Sequence, residues 1–103
     1  MIKIGNQEYI LKYTVRALFA YEQITGTPFT PDKLLNEYTL LYAILIANNN
    51  DFRLTFDEFI NECDEDQSIF IEFREWFLDV LKQKALLQTE SADKDDPDDK
   101  KKD

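Results

Sequence analysis

Residues 38–47, YTLLYAILIA, are almost entirely apolar, and no other segment constrains the fold as tightly. As a helix it would be greasy on every side, so it must be surrounded by other elements or covered by another subunit. Ten residues fall far short of the roughly 20 that a membrane helix requires. The segment therefore predicts the central helix of a small body. With 103 residues there is room for one such domain.

What surrounds that helix can be read from its flanks. Ile2 and Ile4 alternate with polar neighbours, Gly5 and Asn6 signal a reversal, and Tyr9, Leu11 and Tyr13 alternate again. A period of two on either side of a glycine turn predicts a β-hairpin over residues 2–13. Thr14 is placed to cap a helix over residues 15–25, closed by Gly26, with Val15, Leu18 and Phe19 on its inner face and Tyr21 and Glu22 beside them. Thr30 followed by Pro31 predicts the start of the central helix, which then covers residues 31–47. The run Asn48, Asn49, Asn50 and Asp51 reads as a loop. Thr55 and Glu58 have the spacing of a capping box and open a short helix over 56–63. Asp66 is placed to cap a fourth helix over 67–88, where Ile69, Phe73, Trp76, Phe77, Val80 and Leu81 form the stripe and Phe70 and Ile71 lie just outside it. From Thr89 onward Ala92 is the only side chain able to join a core, so residues 89–103 are expected to be disordered and residues 1–88 to form a single domain. The fold class is mainly α with a small N-terminal β-hairpin.

Charge and chemistry exclude more than they select. Twenty-one acids against 12 bases give a net charge of −9, a field that repels phosphate backbones. There is no histidine and one cysteine, Cys63, so neither a Ser-His or Cys-His pair nor a His- or multi-Cys zinc site can be assembled. A lone cysteine forms no internal disulfide, and the first ten residues carry no apolar run of signal-peptide length. A soluble cytoplasmic protein is expected. The acidic cluster Asp57, Glu58, Glu62, Asp64, Glu65 and Asp66 invites a calcium reading, because Leu54 to Phe59 spell the phrase of an EF-hand exit helix. The loop before it fails: Asn48, Asn50 and Phe52 would have to supply ligands, and no glycine stands at the sharp turn. Gly5 and Gly26 both serve turns, which leaves no phosphate-cradling loop. No catalytic residue, metal or cofactor is expected, and the chain is not read as an enzyme.

Eight Phe, five Tyr and one Trp are generous for so small a body. Most of the apolar content of the fourth helix is explained by packing on the central one. The remainder predicts a partner-binding or self-association surface at Phe70, Phe73, Trp76 and Phe77, together with Tyr42 of the central helix.

The opening third adds a pattern. A short strand, Gly5 before a polar turn, Tyr9-x-Leu11-x-Tyr13, Ala17-Leu18, Glu22, and Thr25-Gly26 ahead of Pro28-Phe29 resemble the start of the phage tail assembly chaperones of long-tailed, siphophage-type viruses and prophages. The similarity covers about 30 residues, with only a general likeness in layout beyond. The resemblance implies a small helical protein of the infected host's cytoplasm that coats the tape measure protein until tail tube subunits polymerise, and that is not retained in the finished virion. This chain would be the short form, and Lys100, Lys101 and Lys102 would suit a slippery codon run for frameshifting into a longer one. None of the matched positions is catalytic in that family. Two other functions compete: an acidic DNA mimic that blocks a host nuclease, and a small structural head–tail protein.

Overall fold

The computed structural model describes residues 1–95, with side chains through residue 83. Two short strands are followed by four helices: β1 (Ile2–Ile4), β2 (Gln7–Tyr9), α1 (Val15–Thr25), α2 (Leu34–Asn48), α3 (Phe56–Glu65) and α4 (Ser68–Asp95). The mainly helical class with an N-terminal hairpin is the observed one. Two compact units are present, Met1–Phe73 and Arg74–Asp103. The division falls inside α4. The α4 backbone is helical through Asp95, past the Thr89 boundary expected for a disordered tail. Residues 96–103, the remainder of that tail, lie outside the described residues.

In the Met1–Phe73 unit, β1 and β2 pair antiparallel with Ile2 opposite Tyr9 and Ile4 opposite Gln7. Gly5 turns the chain at φ 63, a conformation that costs other residues strain. The ladder ends at Tyr9, four residues short of the expected hairpin. Beyond it the chain is held by two asparagines near the end of α2. The Ile10 N–H donates to Asn49 Oδ1 at 2.8 Å, and Asn49 Nδ2 donates to the Ile10 carbonyl at 3.1 Å. Asn48 Nδ2 donates to the Lys12 carbonyl at 3.0 Å. Helix α2 thus runs through Asn48, one residue into the expected loop, and its asparagines do the pairing that a neighbouring strand would do.

The caps of α1 and α3 form as local chemistry requires. Thr14 Oγ1 accepts from the Ala17 N–H at 3.1 Å, and Gly26 closes α1 in the left-handed region at φ 80. Thr55 and Glu58 complete both bonds of the capping box, at 3.1 Å and 2.9 Å. Asp66 Oδ1 accepts from the Ser68 N–H at 3.1 Å at the head of α4. The start of α2 differs from the expectation. Pro31 and Asp32 lie in a turn, and the helix opens at Leu34 with Lys33 as a cap that makes no side-chain bond. Asn36 reaches back from the first turn instead, donating to the Thr30 carbonyl at 2.9 Å and to Asp32 Oδ1 at 3.1 Å. The Thr30 hydroxyl also donates to that carboxylate at 2.7 Å, and chiefly through that bond the Asp32 carboxyl is held below its ordinary pKa.

The core of this unit is centred on α2, as its apolar sequence demands. Leu40, Leu41, Ala43, Ile44 and Leu45 are all buried, joined by Ile2, Ile4, Tyr9, Tyr21, Phe59, Ile69 and Phe73. Each large aliphatic among them contributes about 1.5–3 kcal/mol relative to an exposed position. Helix α1 packs against α2 through Ala17 and Tyr21, which are spaced by one turn. That corrects the expected inner face of α1: Val15 and Phe19 point outward, 63% and 60% exposed. A helix with apolar residues on two sides gives no local signal of which side is covered.

In the Arg74–Asp103 unit the described part is the remainder of α4. Phe77 is buried and Trp76 and Val80 are half-buried, whereas Leu78 and Leu81 are exposed. Among the described residues no helix is long and apolar enough to cross a membrane.

Candidate protein-binding surface

Tyr42 is a structural pin. Its hydroxyl donates to the Leu54 carbonyl at 2.8 Å, and its ring lies 5.4–5.7 Å from those of Phe52, Phe56 and Phe59. Burial pushes its phenol above the ordinary tyrosine pKa. Phe70 stacks on Tyr38, with centroids 4.1 Å apart and planes at 10°, and also neighbours Phe73. Phe73 is fully buried. Trp76 and Phe77 stack at 6.4 Å, with Phe77 buried and Trp76 half-buried. The five aromatics nominated from the sequence therefore divide: Phe73 and Phe77 are inside, and Phe70, Trp76 and Tyr42 are partly covered. Aromatic density marked where the chain packs, because rings supply the largest buried areas in a small body.

The apolar side chains that reach solvent are elsewhere. Val15 and Phe19 on α1 and Ile46 on α2 edge an open groove of about 810 Å³, floored by Ala20 and Ala47 and rimmed by Arg16, Gln23 and Asn50. A second groove of about 340 Å³ lies between the start of α2 and the second half of α3, lined by Leu34, Leu35, Tyr38, Ile60, Cys63 and Asp64. Leu34 and Leu35 are 59% and 63% exposed at its lip, and Cys63 is buried. Burial, reinforced by Asp64, Glu62 and Asp66, pushes the Cys63 thiol up to about 11, so it is protonated and a poor nucleophile at neutral pH. Burial likewise raises the Tyr38 phenol, with Cys63 and Asp64 adding to it.

The acids of α3 are dispersed. Glu58 is committed to the Thr55 N–H, and among the described residues no three His, Cys, Asp or Glu side chains are placed to hold a metal ion. Compared with known protein families, characterised proteins and solved structures, the chain matches none.

Proposed function

We propose that this chain is a non-enzymatic tail assembly chaperone that holds a tape measure protein soluble in the bacterial host cytoplasm while a phage tail is built, and leaves before the virion is complete. One observation carries the reading: large apolar side chains, Val15, Phe19, Leu34 and Leu35, stand more than half exposed on a chain of net charge −9. A protein that holds a helical polypeptide needs open apolar surface for grip and like charge on its exterior to keep loaded complexes apart. The similarity of residues 2–29 to the start of such chaperones points the same way.

The reading requires a tape measure protein, a long helical chain encoded beside this one, and the test is co-expression with it. The soluble fraction of that protein should rise severalfold when this chain is present, and the complex should survive added salt. No change in its solubility overturns the reading. Binding of a basic nuclease that collapses with salt would favour the DNA mimic, and recovery of this chain in purified virions would favour the structural head–tail protein.

A further inference from the structure

We infer that the groove between α2 and α3 docks a cationic amphipathic helix, whose apolar stripe meets Leu34, Leu35 and Ile60 and whose lysines or arginines, about seven residues apart, meet Asp57 and Asp64. The inference rests on the holding role proposed above and specifies the chemistry of what is held.

Geometry and charge carry it together. The groove offers exposed leucines at its lip over a buried floor, which suits inserted aliphatic side chains. Helix α3, which forms one wall, carries five acids and no base in ten residues, FDEFINECDE, and Asp64 lines the groove. Asp57 and Asp64 are three residues before and four after Ile60, so all three share one side of α3. Seven residues make two helical turns, about 10.5 Å along the axis, which a partner helix matches with cations at the same interval. Neither carboxylate has a hydrogen bond or ion pair among the described residues. Burial is the main cause of the raised Cys63 and Tyr38 pKa values, and Asp64, which lines the groove, adds to both. The larger α1–α2 groove is rimmed by Arg16, Gln23 and Asn50 and has no such preference. A second copy is the poorer occupant, because two chains of −9 repel.

The probe is a fluorescein-labelled synthetic helix of about 20 residues, with leucines at i, i+3, i+4 and i+7 and lysines at i+1 and i+8 along one flank. Its counterpart carries glutamates in place of the lysines. Anisotropy titrations with the full chain, at about 50 mM and about 300 mM salt, give both affinities. The cationic helix should bind at least about tenfold tighter than the acidic one at low salt, with the gap narrowing at high salt. Leu35→Ser should weaken it about tenfold, Asp57→Lys with Asp64→Lys should reverse the preference, and Ile24→Ser, at an exposed position of α1 that lines neither groove, should change nothing. Leu34→Ser serves as the second lip variant, and circular dichroism checks that each variant is folded. Equal affinities for the two probes, or indifference to both leucine variants, overturns the assignment. So does a self-associated chain that Leu35→Ser renders monomeric, since the occupant would then be a second copy. If the tape measure protein stays soluble while the cationic probe fails to bind, the groove assignment falls and the holding role stands. If the probe binds as expected but that protein is not solubilised, the reverse holds.

Discussion

Asn49 does with one side chain what a third strand would otherwise do. Its amide satisfies both the N–H and the carbonyl of Ile10, and also reaches the Leu45 carbonyl at 3.0 Å. Asn49→Ala leaves these groups without their partner and should cost about 2 kcal/mol, read by urea unfolding with an unchanged m-value. In the sequence Asn49 was one of three consecutive asparagines and read as loop, because nothing local says which backbone an amide will meet 39 residues away. Cys63 makes the second residue-scale prediction. Its folded pKa lies above the unfolded one, so between about pH 9 and 11 the unfolded chain loses the thiol proton first and stability falls as pH rises. Cys63→Ala should remove a loss on the order of 1–2 kcal/mol across that window, seen by comparing unfolding free energies at pH 8 and about pH 11. The folded wild type should also react slowly with thiol reagents at neutral pH and quickly once unfolded.

At the scale of elements, helix ends were the most legible feature. Thr14, Gly26 and the Thr55–Glu58 pair act through bonds spanning three or four residues, so the sequence holds all the parties. Thr55→Ala should cost about 1 kcal/mol by thermal or urea unfolding, with Glu58→Ala in the same background adding little because the two bonds form one box. Gly26→Ala tests backbone alone: an added Cβ would meet nothing within 4 Å, so the expected loss of about 1 kcal/mol comes from the positive φ. The opening of α2 was less legible. Thr30 and Pro31 are good helix starters, yet Asn36 holds Thr30 and Asp32 in a preceding turn and moves the first turn to Leu34. That shift is what puts Leu34 and Leu35 at the mouth of the second groove.

For the whole molecule, charge and apolar exposure have to be weighed together. A net charge of −9 keeps the exposed Val15, Phe19, Leu34 and Leu35 of different copies apart, and that protection fades as carboxylates protonate. Solubility should therefore pass through a minimum near the pI of about 4.4, and Phe19→Ser with Leu35→Ser should shrink the light scattering measured there. The sequence by itself determined the helical class, the N-terminal turn, three of the caps and the central place of α2. Periodicity, capping and hydrophobicity act within a few residues along the chain. Only the tertiary structure decided which apolar side chains are left over. Phe73 and Phe77 are buried while Val15, Phe19, Leu34 and Leu35 are exposed, because burial depends on which face meets a neighbouring element, and that neighbour is distant in sequence.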